Sequence, residues 1–454
     1  MRDKLETTIN KLSKSCDYLD IRVEESSLIH ITVIDGKLHG LHRETSLGGA
    51  LRACHRGGWG FVSFNDLNKL EAFGELAVQQ AKLCGHGKTR LAPVEPIVTD
   101  YATELIDSPH NHSLDEKIAL LFHYDELMKS CPLIVNRTTK YGDKKMRKYF
   151  VSSEGSFITQ ELCDLYLGAT PVAIHNGYAQ KGKVERGSSN DFSVVTNLDE
   201  KIVAASQLAV EISKAAEVKN GVYPVIMDPL LASLFVHEAF GHHCEADNYA
   251  EQPQLAKIMT LGKEVASSCL TVYDSGLDLG TRGFVAYDDE GVKAQKTCLV
   301  QKGRLHSRLH SRETAALLDE KPTGNGRAVS YRFEPLCRMR NTYIENGETS
   351  FSEMVSSIDE GLYLLGCQGG FSDEDFSLNS LYGYVIHQGK LQEKVKGATL
   401  FGNLWQSLKN IKAVGDDKQV FDGPGGCGKK DHPHLAVSFG APHILIEGLN
   451  VTSQ

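Results

Sequence analysis

The segment at residues 234–247, LFVHEAFGHHCEAD, places the tightest constraint on how this chain folds. His237 and His242 are five residues apart, and a regular α-helix turns about 100° per residue, so the two imidazoles would point roughly 140° away from each other. A helix widened by one residue, a π-bulge, brings positions i and i+5 back to one face. Gly241 permits such a distortion at low steric cost. The spacing therefore predicts a helix that is widened or broken at Ala239–Gly241.

The same segment concentrates side chains that bind metal ions. His237-Glu238 is similar to the start of the HExxH zinc-binding helix motif, with the second histidine one residue late. A catalytic zinc site needs three protein ligands and an open position for water, whose pKa the metal lowers to roughly 7. Glu238 is then a candidate general base that passes the water proton to a leaving amine. Cys244 and Glu245 are alternative ligands, and Glu245 is also a candidate partner for an imidazole N–H.

A third ligand has to come from elsewhere in the chain. Residues 422–430, DGPGGCGKK, present Cys427 between glycines, as a backbone that closely approaches a buried site requires. A cation such as Lys429 favours the thiolate form that binds metal. The alternative is a flexible loop with an inert thiol, and three later histidines compete for the role: His432, His434 and His443.

The composition is that of a globular protein, and it argues against nucleic acid and membranes as partners. It has 454 residues, of which 41% are hydrophobic and 24% charged. The net charge of −9 gives no overall attraction to phosphate, so direct nucleic-acid binding is not expected. No apolar run approaches the ~20 residues of a membrane span, and no secretory signal is visible, so no membrane association is expected. Eleven cysteines without paired spacing favour a reduced, cytoplasmic protein.

The alternation of apolar and polar residues predicts an α+β fold in two domains. We expect an N-terminal α/β domain at residues 1–220, made of two sub-units (about 1–92 and 113–220) joined by an irregular linker. Residues 221–454 are expected to form a β-rich C-terminal domain that carries the HExxxH helix near its start. Within the first part, Asp35-Gly36 predicts a hairpin turn, and Ser113 with Glu116 predicts a helix that begins with a capping box.

A basic run, Lys144–Lys148, has two interpretations. It lies beside Gly142-Asp143, which the sequence suggests is a turn. The run is either a phosphate-binding patch or the polar side of a solvated hairpin, and the hairpin is the favoured interpretation.

Several blocks of the sequence, taken in order, resemble those of the TldD/PmbA family, the modulator-of-DNA-gyrase metallopeptidases. His237–His242 followed by Glu245-Ala-Asp247 matches the family's HEAxGHxxExD signature. The resemblance covers nearly the whole chain, which makes it specific. The other blocks are Asp20–Glu24, Gly58–Phe61, Asp288–Gly291, Ser311–Ala315, Gly324–Arg327, Arg338–Thr342, Val395–Leu400 and Cys427–Lys429.

The resemblance implies a zinc metallopeptidase that hydrolyses unfolded or short peptides. It implies that Zn²⁺ is held by His237, His242 and Cys427, with Glu238 as the general base. Family members form homodimers or TldD–TldE heterodimers, so the implied partner is a second copy or a TldE/PmbA-like subunit. The TldE/PmbA subunit type has lost the HExxxH motif, so its presence puts this chain with the active type.

Two other functions stay open. A non-catalytic zinc-binding partner or regulator would surround the metal with four protein ligands, whereas an enzyme leaves one position open. A zinc tailoring enzyme that acts on a small amide or thiol conjugate would have a small closed pocket, whereas a peptidase needs a wider channel.

Overall fold

The computed structural model of the chain describes residues 1–85, 89–372 and 375–454. A π-helix at Phe235–Phe240 and a 3₁₀ turn at Gly241–Cys244 follow α5, and further 3₁₀ turns lie at Ser13–Ser15, Leu67–Lys69, Pro109–Asn111 and Phe192–Val195. The α-helices are α1 (Arg2–Leu12), α2 (Leu70–Leu83), α3 (Leu114–Lys129), α4 (Asp199–Lys214), α5 (Pro229–Leu234), α6 (Asn248–Glu251), α7 (Pro253–Ile258), α8 (Arg312–Leu318), α9 (Phe351–Ser356) and α10 (Leu404–Lys409).

Strands outnumber helices, and the fold is a strand-rich mixture of the two, with 44% strand and 25% helix. The first eight strands are β1 (Tyr18–Ile34), β2 (Lys37–His55), β3 (Gly58–Phe64), β4 (Val98–Ala102), β5 (Ile134–Ser152), β6 (Phe157–His175), β7 (Tyr178–Lys181) and β8 (Val184–Ser188). The others are β9 (Gly221–Met227), β10 (Val272–Ser275), β11 (Lys296–Gln301), β12 (Arg304–Leu305), β13 (Gly326–Arg327), β14 (Leu336–Cys337), β15 (Asn341–Ile344), β16 (Glu360–Ser372), β17 (Asp375–His387), β18 (Lys390–Lys396), β19 (Ala398–Asn403), β20 (Ile411–Val414), β21 (Gln419–Phe421), β22 (Cys427–Lys429), β23 (His432–Leu435), β24 (Ser438–Ala441) and β25 (Ile444–Ser453).

Strands β1–β8 form one sheet, which we call the N-terminal sheet. Its order is β3-β2-β1-β5-β6-β4, and β7 and β8 also pair with β6. The hairpin prediction at Asp35-Gly36 is confirmed, because Ile34 pairs with Lys37 and both turn residues have positive φ, 49° and 72°. Both segments of the N-terminal half, before and after the predicted linker, contribute strands to this sheet.

Successive side chains of the long strands point to opposite faces of the N-terminal sheet. One face is apolar: Leu19, Ile21 and Val23 of β1 pack with α1 and α2, and Ile31 and Val33 pack with α3 and α4. The predicted capping box at the start of α3 is confirmed, since the side chains of both its residues bond to the backbone of the other.

The opposite face of the N-terminal sheet is charged and is covered by the C-terminal region. Largely buried ion pairs join the two: Arg52 with Glu290 at 2.9 Å, Lys148 with Asp289 at 2.8 Å and Arg282 with Asp164 at 2.7 Å. Burying charges requires such pairing, so these contacts specify how the two parts of the chain dock.

Two predictions about turns and linkers in the N-terminal half are wrong. Gly142-Asp143 lies inside β5 rather than in a turn, because Asp143 is paired with the buried Lys117 of α3 at 2.8 Å and so does not need solvent. The segment expected to be an irregular linker contains β4, which pairs in parallel with β6. The side chains of β4 stay largely exposed at the sheet edge, so the strand leaves no apolar alternation in the sequence.

The C-terminal region holds a ring of paired strands beside a six-stranded sheet. Pairing runs β16-β9-β25-β19-β17 and returns from β17 to β16. The second sheet has the order β12-β11-β10-β15-β24-β21. Helix α5 and the π-helix after it lie in the largest apolar core cluster, which includes Phe235, Val236, Phe240 and Phe376. Among the described residues, no helix is long and apolar enough to cross a membrane.

Candidate metal centre

The helical segment that carries the histidines begins at a capping residue and a proline. Asp228 precedes the segment and its side chain accepts a hydrogen bond from the Leu231 N–H at 2.8 Å, and Pro229 occupies the first helical position. The regular helix lasts six residues and then widens into the π-helix Phe235–Phe240. The widening predicted from the spacing of the histidines is present, and it starts about one turn earlier than Ala239–Gly241.

The widened helix brings His237 and His242 together. Their ring centroids are 5.4 Å apart and their planes are inclined by 76°. Gly241 keeps an ordinary helical φ of −58°, so the glycine is not needed for its backbone freedom. A Cβ atom there would lie 2.2 Å from the sulfur of Met339, so the position requires glycine because β15 and the residues before it pack closely against the helix.

The third side chain at this centre is Cys427, in the hairpin formed by β22 and β23. Its Sγ lies 3.5 Å from His242 Nε2. Donor atoms of His237, His242 and Cys427 all lie within 4.8 Å of one another. Ligands held about 2.0–2.3 Å from a tetrahedral metal are roughly 3.5 Å apart, so the spacing suits a shared ion. Among the described residues, these three are the group of His, Cys, Asp or Glu whose arrangement could hold a metal.

His237 is completely buried, and both of its ring nitrogens lack a hydrogen-bond partner within the part of the chain that the structure describes. Phe439 packs against the His237 ring in a T-shaped arrangement at a centroid distance of 4.8 Å. Burying an imidazole without a partner costs free energy, and most buried polar groups are satisfied. A metal ion at this position would satisfy one of the two nitrogens.

His242 is oriented by Glu245, which the sequence left open as either a ligand or a supporting acceptor. The Nδ1 atom of His242 lies 3.0 Å from Glu245 Oε2, so Nε2 is the nitrogen left to face Cys427. Glu245 is fully buried and also bonds to Lys429 at 3.0 Å. Burial raises the pKa of Glu245, but the charges of Lys429 and His242 outweigh burial and hold that pKa at about 2.

Cys427 is favoured as a thiolate, for a reason that differs from the sequence interpretation. Burial raises the pKa of the Cys427 thiol, but its interactions with His237 and His242 outweigh burial and lower the pKa to about 5. Lys429, the expected source of this effect, instead directs its ammonium to Glu245, to Asp247 at 2.6 Å and to a backbone carbonyl. That expectation for Lys429 is therefore wrong.

Glu238 lies at the more open side of the centre. Its Oε2 is 3.8 Å from His242 Nε2, and its side chain is 32% exposed, compared with 24% for His242 and none for His237. Solvent therefore reaches the carboxylate, while the buried His237 closes the opposite side.

The other metal-capable residues near the motif and the C-terminus lie apart from the three donors. Cys244 is buried in the apolar core, where burial raises the pKa of its thiol. His443 bonds to Asp417 at 2.6 Å and to Tyr363 at 2.9 Å. His432 packs against Phe333, and His434 bonds to the Gly426 carbonyl.

Sequence reasoning missed one residue that supports the centre. Arg338 is fully buried and donates a hydrogen bond from Nη2 to the carbonyl oxygen of Cys427. Its Nε and Nη1 have no partner among the described residues. The sequence contains the run Arg338-Met-Arg340, but residue type alone does not distinguish a buried arginine that bonds to backbone carbonyls from an arginine on the surface.

Comparison with known proteins gives matches over nearly the whole chain. Family models described as PmbA/TldA metallopeptidase domain 1, central domain and C-terminal domain match residues 19–81, 107–219 and 220–453. A metalloprotease of Synechocystis sp. is 37% identical over 446 residues, covering 98% of this chain and 96% of the relative. A zinc metalloprotease TldD homolog of Saccharolobus solfataricus is 28% identical and covers 96% of each chain. The crystal structure of TldE from Thermococcus kodakarensis shares the fold, with a TM-score of 0.79, 18% identity and coverage of 99% of this chain and 100% of that one.

Proposed function

Because this chain belongs to the PmbA/TldA metallopeptidase family, we propose that it is a zinc-dependent peptidase that hydrolyses unfolded or short peptides. In this proposal His237, His242 and Cys427 hold Zn²⁺ and Glu238 is the general base. The observation that carries the proposal is the approach of Cys427 to His242, 185 residues earlier in the chain. Beside them lies the buried His237, whose ring nitrogens have no hydrogen-bond partner among the described residues.

The donor set suits zinc. Two imidazole nitrogens and a thiolate are donors that zinc prefers, and three protein ligands leave a fourth position open. When bound, the metal would polarise the scissile carbonyl and lower the pKa of an attacking water. Glu245 holds the His242 ring with Nε2 directed into the site, which is the role of a carboxylate that supports a metal-binding histidine.

Glu238 moves the proton in this mechanism. Its Oε2 accepts a proton from the water whose oxygen attacks the peptide carbonyl carbon. The C–N bond then breaks, and Glu238 delivers the proton to the nitrogen of the departing amine. The partial exposure of Glu238 supports this role, since water and peptide must reach the carboxylate.

The partner and the cell compartment are also part of the proposal. The likeness to TldE is one of fold, so we propose association with a second copy of the chain or with a TldE/PmbA-like subunit. All eleven cysteines are free in the structure, which supports a reduced, cytoplasmic setting. We also propose a domain boundary near residue 220, where the family models for the central and C-terminal domains meet.

Two substitutions test the proposal. Glu238→Gln should lower peptide cleavage by at least about 10²-fold and leave about one zinc per chain, because it removes the base and no ligand. Cys427→Ser should lose or weaken zinc binding. The matched controls are Glu264→Gln and Cys84→Ser, which change exposed residues that are not among the three donors. Cleavage at the wild-type rate by the Glu238 variant would refute its role, and full zinc occupancy in the Cys427 variant would remove that residue from the site.

A further inference from the structure

A cavity of about 620 Å³ lies between the charged face of the N-terminal sheet and the C-terminal region. Strands β1, β5 and β6 form one wall, and residues 282–289, 327–329 and 424–436 contribute to the other. Its size falls within the roughly 300–1,000 Å³ typical of small-molecule sites. Much of the lining is apolar, including Leu28, Met146, Leu162, Phe284 and Val329.

The carboxylates around this cavity already have partners. Asp164 receives two hydrogen bonds from Arg282, and Asp289 pairs with Lys148. Asp288 accepts hydrogen bonds from three backbone N–H groups, those of Glu290, Val292 and Gly326. Asp143, also at the wall, directs its carboxylate to Lys117 on the other face of the sheet.

Two cations at the cavity form no ion pair with a carboxylate in the described part of the chain. Lys144 is half-buried and makes no hydrogen bond or ion pair with any described residue. Burial lowers the pKa of its ammonium, and the charges of Glu24, Asp164 and Asp289, which lie beyond ion-pair distance, only partly offset burial. Arg327 is buried and donates to the backbone carbonyls of Met339 and Ala436, at 2.6 and 3.0 Å. A charged group that is taken out of water without a partner is costly, so the cavity favours an incoming negative charge.

The cavity adjoins the candidate metal centre. Gly426 lines the cavity and is the residue directly before Cys427 in the chain, so their Cα atoms are about 3.8 Å apart. Leu435 lines it from β23 and pairs with Cys427 across the hairpin. The hairpin formed by β22 and β23 therefore lines the cavity and also carries the Cys427 thiol of the metal centre.

We infer that this cavity binds one carboxylate group of a peptide substrate, with Lys144 as its ion-pair partner. The inference rests on the proposed peptidase function and adds a substrate preference to it. A carboxylate brings one negative charge to Lys144, whereas a phosphate dianion would bring a second negative charge close to Asp164 and Asp289, which also line the cavity. The carboxylate is either the C-terminus of a short peptide or an Asp or Glu side chain.

The test measures peptide binding rather than turnover. The zinc-loaded full chain with Glu238→Gln is titrated with labelled peptides that differ in one group: a free C-terminus or its amide, and Glu or Gln. We expect the carboxylate form to bind roughly tenfold more tightly than its neutral counterpart. Adding Lys144→Met should remove that difference, Lys144→Arg should retain most of it, and the control Lys145→Met, on the exposed opposite face of β5, should leave it unchanged.

The outcomes separate the two carboxylate sources and the two proposals. Preference for the free C-terminus over the amide assigns the C-terminal carboxylate, and preference for Glu over Gln assigns a side chain. Equal binding of all peptides, or a Lys144→Met variant that keeps the preference or weakens every peptide alike, overturns the inference. The peptide preference is measured by binding, without cleavage. A wild-type chain that does not cleave peptides or does not bind zinc would therefore contradict the proposed function, and would not by itself contradict the carboxylate preference.

Discussion

Replacing the buried His237 with leucine should have opposite effects in the absence and presence of zinc. Without metal, both ring nitrogens are buried with no hydrogen-bond partner among the described residues, and an imidazole buried in this way costs about 1–3 kcal/mol. Leucine is close in volume and removes both nitrogens, so His237→Leu should raise the free energy of unfolding of the metal-free chain by about 1–3 kcal/mol. With zinc at about 100 times its dissociation constant, the wild type gains about 2.7 kcal/mol that the variant cannot gain.

Urea unfolding of chelator-treated and zinc-loaded protein measures both effects. His443→Leu is the matched control, since His443 is also buried but is bonded to Asp417 and Tyr363. That variant should lose about 1 kcal/mol or more in both states and keep the zinc-dependent increment, because it leaves polar partners unsatisfied and removes no ligand. A His237→Leu chain that is less stable than wild type without metal, or that zinc still stabilises fully, would refute the reasoning.

Three further predictions follow from the same region. Glu245→Gln should weaken zinc affinity by about 10–100-fold, measured by chelator competition, because His242 loses its orienting carboxylate; unchanged affinity would contradict this role. Burial raises the pKa of Asp228 to about 6, so the folded chain retains a proton there between about pH 4 and 6 and loses stability as the pH rises through that window. Asp228→Asn keeps the helix cap and removes the ionisable group. The free energy of unfolding of the variant, relative to that of the wild type, should therefore grow by up to about 3 kcal/mol from pH 4 to 7 in metal-free protein; a pH-independent difference would contradict the shift. Gly241→Ala should destabilise the chain by about 1–3 kcal/mol in thermal unfolding, because its Cβ meets Met339, and the same substitution should cost less in a chain that already carries Met339→Ala.

Local features of the fold were predictable where one or two residues decide the backbone. Asp35-Gly36 adopts the two positive φ angles that a tight hairpin needs, and Ser113 caps α3. The spacing between His237 and His242 required a widened helix, and the helix is widened. In each case the relevant interactions span only a few residues.

Features that depend on which part of the chain covers each face of a strand were not predictable. Lys144 and Lys145 are adjacent and identical in type, yet the first lines the cavity and the second lies on the exposed side. The favoured interpretation of this basic run as a solvated hairpin is therefore wrong for Lys144. The strand β4 was hidden because its exposed side chains form no apolar pattern.

The amino-acid sequence by itself determined the local geometry of the centre: a capped helix that must widen to bring His237 and His242 to one side, with Glu238 beside them. Tertiary structure decided which distant side chain approaches them, since Cys244, Glu245 and the C-terminal histidines were all chemically suitable. Cys427 approaches because its hairpin packs there, while Cys244 points into the apolar core and Glu245 bonds to His242 through the other nitrogen. Donor chemistry is a property of the residue, but the distance between donors separated by 185 positions is set by the packing of the sheets that carry them.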